Sequence, residues 1–501
     1  MTRTATILLL AALPLGCDNP PEGADVDADA DTDTDTDTDT DTDTDTDTEP
    51  PIDLPPIEAH QVVVFWTLDT LGTSAAEDTG WCARLQSLFA EYGLEVACVG
   101  GGIPSSSWTL ESHARMLYPH NTTGTNRAHL VPECDSRSVL ADIAQAHGGN
   151  LHLGLENDVF NYWDLYRECP DGENPWLDHA TTAWIATGAE NLADGSEDPV
   201  GNAIAEVITD IEAGEPVVAF LNELEPGGHT PRCWFEPGSE GCADAWDVAR
   251  AYDLVPDVPV KAQGDYWFRG LWSSLTPYLL TEFEDDSDTL RTLAWQTILR
   301  SAEYFGTHRF DPRLRQILDA LETSGRLDDA VFIIAGDHGE SPCTEVLLTG
   351  DEQAVSCQHG GLADEWTGNV PVYIAPSWLA DRWDKGSYIG DASRPWILSN
   401  LGYAVIDAAA VEPDPTWPAM ERPGTATTWH CRDRISGLRI GPGVSARCND
   451  LECDLYTWDV PTTPTHLPTV LTSVDGDIAA VMDPVGAGPN WFHDACAGTA
   501  P

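Results

Sequence analysis

Three apolar runs of this chain end in residues able to do chemistry. Asp69 closes "VVVFWTLDT" (Val62 to Thr70), Glu225 and His229 follow "PVVAFLNEL", and Asp337-His338-Gly339-Glu340 follows "AVFIIAG". A fourth stretch, "SSSWTLESHARMLYPHN" (Ser105 to Asn121), brings together a hydroxyl, a carboxylate and an imidazole in Thr109, Glu111 and His113. Carboxylates with a neutral imidazole can hold a divalent cation. A Thr hydroxyl is a poor nucleophile until a cation lowers its pKa or a base takes its proton. Each residue type alone has an ordinary structural use, such as the Asp that caps a helix after a strand. Their shared placement carries the information, because ligands of open α/β sheets bind beyond the carboxyl ends of the strands.

The elements that must position these residues alternate. Gln61–Leu68 is a near-continuous β-branched and aromatic run, as in a strand buried on both faces. "WCARLQSLFAEYGLEVACVGGG" reads as helix, Gly stop and strand. Ser138–His147 predicts a helix and Leu151–Leu155 a strand; Asn202–Ala213 predicts a helix before "PVVAFLNEL". Thr289–His308 and Asp311–Ser324 predict two helices leading into "DDAVFIIAGDHGE", and "VPVYIAP" is a last strand ending at Pro376. Strands alternating with helices imply an α/β fold, a mostly parallel central sheet with helices on both faces.

Residues 1–17 have the layout of a lipoprotein signal: an early Arg3, a short apolar run from Ile7 to Leu15, then Gly16-Cys17. The run is too short to span a bilayer. Residues 18–57 hold a strict Asp/Thr alternation that cannot bury apolar surface and repels itself, which predicts an extended acidic tether. Residues 58–395 make the main domain, and 396–501, rich in Pro, Gly and Cys, a C-terminal subdomain of the same unit. The whole chain carries a net charge of −60. Without residues 1–57 it keeps 68 acidic and 23 basic residues, a net of −45, which disfavours nucleic acid and anionic membrane surfaces. Twelve cysteines besides Cys17 fit disulfides in an oxidising compartment, with Cys233/Cys242, Cys343/Cys357 and Cys448/Cys453 as plausible near pairs. The expected location is therefore extracytoplasmic, lipid-anchored to a bacterial cell envelope, with the membrane met through the lipid only.

The apolar strand with "LDTL", then "WTLESHARMLYPH", "LNELEPGGHTP", "GRLDDAVFIIAGDHGE" and "HGGLADEWTGNVPVYIAP" resemble, in order, the motifs of the sulfatase branch of the alkaline phosphatase superfamily. The resemblance runs from about Val62 to Pro376, with an echo at "CDLYTWD". It implies that fold, a divalent metal ion (calcium, manganese or zinc) and a phosphate- or sulfate-ester substrate. By position it makes Asp69, Asp337 and His338 metal ligands and Thr109 both ligand and nucleophile. His113 becomes a substrate or positioning contact, His229 a substrate contact, and His359 a group near the leaving group or a second metal. Glu225, His229 and His359 make the possible second site.

The chain departs from the pattern at Glu111, where Pro is usual, at Gly72, where Arg is usual, and in lacking the Thr-Gly pair before Tyr118. Thr109 cannot become formylglycine, the sulfatase nucleophile, so the resemblance favours phosphoesters over sulfate esters. Two functions follow: a metal-dependent ester hydrolase, or a non-catalytic binding lipoprotein that keeps the fold with a degraded site.

Overall fold

The computed structural model describes residues 57–102, 104, 109–118, 122–124, 130–132, 134, 136–157, 160, 174–185, 198–224, 295, 298–299, 301–340, 345–349, 352–356, 366–385, 398–412, 428–432, 435–441, 444–448, 453–457 and 472–474. Seven strands form the central sheet: β1 (Val62–Leu68), β2 (Ala97–Gly102), β3 (Asn150–Leu155), β4 (Thr182–Ile185), β5 (Val217–Glu223), β6 (Ala330–Gly336) and β7 (Val370–Ala375). Their order across the sheet is β2-β7-β6-β1-β5-β3-β4. Strand β1 pairs in parallel with β5 and β6, and β3 in parallel with β5 and β4. Strand β7 runs antiparallel to both β6 and β2, so it alone is reversed.

Side-chain alternation decides which helices cover which face. From β1, Val63 and Phe65 point into one apolar cluster, while Val62, Val64, Trp66 and Leu68 point into the other. The first cluster is closed by α3 (Thr109–Leu117), α4 (Val139–His147), α7 (Trp378–Lys385) and α8 (Leu401–Ala408). The second is closed by α1 (Thr73–Asp78), α2 (Trp81–Glu91), α5 (Pro199–Ala213) and α6 (Asp311–Ser324). All seven side chains of β1, of β5 and of β6 are buried, which is why these segments read as unbroken apolar runs. This is the expected fold class, a mixed but mostly parallel sheet between two helical layers.

Local chemistry sets the boundaries. Ser138 caps α4, its hydroxyl accepting from Ala141 N at 3.2 Å, and Gly148 ends that helix in the left-handed region at φ 65°. Asp198 caps α5 with Pro199 in the first turn, so this helix starts earlier than its apolar periodicity suggests. A π-helical turn, Gly306–Phe310, leads into α6. Cys82 of α2 and Cys98 of β2 form a disulfide that the spacing of the near cysteine pairs does not suggest, and Cys134 is disulfide-bonded as well. Cys233, Cys242, Cys343 and Cys357 lie outside the described residues, while Cys448 and Cys453 stand opposite each other in an antiparallel strand pair. That pair belongs to a five-stranded antiparallel sheet between Thr428 and Val474. Helix α8, within the expected C-terminal subdomain, packs Leu401 and Val405 into the same cluster as Val63 and Phe65.

Candidate metal centre

Register builds the centre of the site. Leu68 stands beside Gly336 and beside Glu223, so the next residues on β1 and β6, Asp69 and Asp337, leave the sheet side by side. Asp69 is held at its backbone, where its N–H donates to Glu223 O at 2.9 Å. Thr70 follows at φ 60°, a region that β-branched residues rarely enter, with its N–H donating to Asp337 Oδ1 at 3.1 Å. His338 N donates to the same oxygen at 2.8 Å. Gly339 lies so close to the Trp366 carbonyl that a Cβ would overlap it, and its N–H donates to Thr367 O at 2.9 Å. The backbone after β6 is thus pressed into a turn that only glycine allows.

Helix α3 brings the hydroxyl. Thr109 is its first residue, and Oγ1 lies 3.1 Å from Asp69 Oδ2 and 3.1 Å from His338 Nε2. His338 Nδ1 lies 3.0 Å from Gly339 O. A carbonyl can only accept, so Nδ1 carries the proton and Nε2 presents its lone pair toward Thr109 and Asp69. Ser112 Oγ donates to Asp337 O at 2.6 Å, which fastens α3 to the end of β6.

Asp69, Asp337 and His338 are fully buried, and their ligand atoms lie within 4.8 Å of one another. Burial, and then the neighbouring Asp69 carboxylate, push the Asp337 carboxyl well above the usual range. Asp337 Oδ2 is buried without a hydrogen-bond partner; the histidines His113 and His338 stand 3.8 and 3.7 Å away. Two adjacent carboxylates, one oriented imidazole and a hydroxyl form a donor set that fits a divalent cation.

The structure brings together five residues expected from sequence: Asp69, Thr109, His113, Asp337 and His338. Glu225, His229, His359 and Cys17 lie outside the described residues. His113 is the one whose surroundings narrow its role. Its ring is fully buried against Phe160 and Phe220, with Nδ1 2.7 Å from Thr109 O and Nε2 2.8 Å from Thr67 Oγ1. Burial lowers its pKa to about 4, with the Thr109 carbonyl and Asp69 pulling the other way. A neutral ring with both nitrogens engaged positions α3; of its two expected roles, this geometry supports positioning.

Three participants escape a reading by motif. Asn157 Nδ2 donates to Asp69 Oδ2 at 2.7 Å and to Thr109 Oγ1 at 3.3 Å. Asn222 Nδ2 donates to Thr67 Oγ1 at 3.0 Å, which completes a chain from β5 through β1 to His113. A signal for Asn157 exists: like Asp69 and Asp337, it stands just past the end of a strand, β3.

No family model matches the chain, and no curated protein matches it. Solved structures do. One is a protein in the alkaline phosphatase superfamily from Vibrio parahaemolyticus, 12% identical, covering 88% of this chain and 88% of its own, with a TM-score of 0.42. Another is the phosphonate monoester hydrolase of Agrobacterium radiobacter, 13% identical over 79% of this chain and 89% of its own, with a TM-score of 0.45. A third is the lipoteichoic acid synthase LtaP from Listeria monocytogenes, 10% identical over 88% of this chain and 93% of its own, with a TM-score of 0.46.

Proposed function

We propose that this chain is a metal-dependent hydrolase of the sulfatase-like class of the alkaline phosphatase superfamily, acting on phosphoesters in preference to sulfate esters. The observation that carries the reading is the Thr109 hydroxyl, 3.1 Å from both Asp69 and His338 and beside the buried Asp337. Asp69, Asp337, His338 and Thr109 would hold one divalent cation, calcium, manganese or zinc. Such a cation would supply a lowered pKa at the Thr109 hydroxyl and positive charge for an anionic ester.

The residues of the chain do the rest. Asn157 steers the Thr109 oxygen, and His113 fixes the first turn of α3. Attack forms the Oγ1–phosphorus bond and breaks the bond to the leaving alcohol, and the proton that the Thr109 hydroxyl gives up balances the one the alcohol takes up. Water then forms a new oxygen–phosphorus bond as the Oγ1–phosphorus bond breaks, so that phosphate leaves and a proton from the water returns to Thr109. A panel of aryl phosphate, phosphodiester and sulfate esters, run with metal analysis, tests the reading. Turnover of sulfate alone, or a folded protein that binds no metal, counts against it. A stoichiometry near two ions per chain would bring in Glu225, His229 and His359.

Glu111 favours a second reading. It is buried in the first turn of α3, two residues from Thr109, where it places negative charge near an anionic substrate. A sulfatase-fold lipoprotein that binds metal and ester without turnover would show affinity in that panel and no product.

Among the described residues, no helix is long and apolar enough to cross a membrane. The proposed attachment is a lipid on Cys17, which places the enzyme outside the cytoplasm on the cell envelope. Cys17→Ala should move the protein from the membrane fraction to the soluble one with its fold intact. A wild type that is already soluble, or that starts at another residue, removes that part of the proposal.

A further inference from the structure

Behind the metal centre, on the opposite face of the sheet from α3, lies a second set of carboxylates, two of them buried. Glu156 follows β3, Glu223 ends β5, and Asp198 caps α5; all three converge on Arg313 of α6. Arg313 Nη1 pairs with Glu223 Oε2 and lies 3.4 Å from Glu156 Oε1, while Nη2 lies 2.5 Å from Asp198 Oδ1. Arg309, from the π-helical turn, adds a longer pair to Glu156 at 3.8 Å. A planar guanidinium, with five N–H donors spread in a fixed fork, can reach acceptors from three elements at once.

Two of these carboxylates sit one step from the metal centre. Glu156 is followed directly by Asn157, whose amide donates to Asp69 and Thr109. Glu156 is also locked to β5, with its N–H on Asn222 O at 3.0 Å and its Oε2 accepting from Leu224 N at 3.3 Å. Glu223 supplies the carbonyl that takes the Asp69 N–H at 2.9 Å. We infer that Arg313 is a positioning residue for the proposed reaction, clamping the ends of β3 and β5 so that the Asn157 amide meets both Asp69 and the Thr109 hydroxyl.

The inference rests on the hydrolase reading for its rate test but not for its structural one. In a crystal structure of Arg313→Lys, which keeps the charge and loses the fork, Asn157 Nδ2 should move beyond about 3.5 Å of Asp69 Oδ2, out of hydrogen-bond reach. In turnover of an aryl phosphate, Arg313→Lys and Asn157→Ala should each lower kcat by ~10-fold or more with KM nearly unchanged. The double variant should be no slower than the slower single within about threefold, because the first change acts through the second residue. Arg315→Lys, two residues on and paired with Glu91 at the surface, should leave turnover as it is. Asn157 still on Asp69 in Arg313→Lys, or losses that multiply, overturns the clamp. If Arg313→Lys does not fold, Glu156→Gln is read the same two ways. A wild type that turns over no ester removes the hydrolase reading and leaves the crystal geometry to decide the clamp.

Discussion

The carboxyl edge of the sheet holds two groups of carboxylates, and their partners differ in kind. On one face Glu156, Glu223 and Asp198 surround Arg313, a permanent cation supplied by the fold. On the other, Asp337 lies beside Asp69, and the groups that approach Asp337 are the imidazoles of His113 and His338 and two backbone N–H groups. Burying a charge is expensive unless something of opposite sign comes with it. The first group meets that need from within the chain. Among the described residues, no Lys or Arg does so for Asp337, and its carboxyl is pushed upward by burial and by Asp69. The contrast separates the inferred clamp from the proposed cation site.

The largest test of that contrast is at the hydroxyl. Thr109→Ala should remove at least ~1000-fold of any esterase rate, the ~4 kcal/mol or more expected when a nucleophile is deleted, and leave a folded protein. Thr109→Ser, which keeps the hydroxyl, should retain part of the rate. Full activity in the Ala variant would sink the mechanism, because a capping Thr costs only about 1 kcal/mol of stability when lost.

Next comes the cation itself. Metal added to the chelated wild type should raise its melting temperature, by an amount corresponding to ~2.7 kcal/mol at a hundred times Kd. Asp337→Asn should abolish that rise together with turnover. Glu223→Gln should keep it, because Glu223 belongs to the group that already has its cation in Arg313. If both variants lose the metal response equally, the two groups are one site and the contrast fails.

The chain reveals one half of this arrangement more readily than the other. Asp69, Asp337 and His338 are legible because each follows an unbroken apolar strand, and strand ends are where such sheets bind ligands. Thr109 is legible through the motif around it. Arg313 is not, because its three partners lie 90 to 157 residues away and nothing local marks it within the periodicity of α6. The Thr67–Asn222 contact spans 155 residues and depends on the register of β1 with β5, which no single segment encodes. The reversal of β7 is hidden for the same reason: strand direction is a property of the pairing rather than of "VPVYIAP". Asn157 stands between these cases, since its place at a strand end is visible but its reach to Asp69 is not.

The smallest expected effect concerns the link from β5 through β1 to α3. Thr67 sits mid-sheet with its hydroxyl 2.8 Å from His113 Nε2 and taking the Asn222 amide at 3.0 Å. Thr67→Val keeps the shape and removes the hydroxyl, so a buried imidazole acceptor and a buried amide donor both lose their partner. Leaving such groups unsatisfied costs about 1–3 kcal/mol, which a shifted urea midpoint at constant slope would report. The rate should fall less than ~10-fold, since Leu110, Ala114 and Leu117 still seat α3 in the core and Ser112 still ties it to β6. The two readouts answer different questions. An unchanged midpoint would mean that His113 and Asn222 find other partners and that the chain from β5 to α3 does not hold the helix. A rate loss as deep as that of Thr109→Ala would mean that His113 takes part in the chemistry, and the assignment of His113 to positioning would have to be given up.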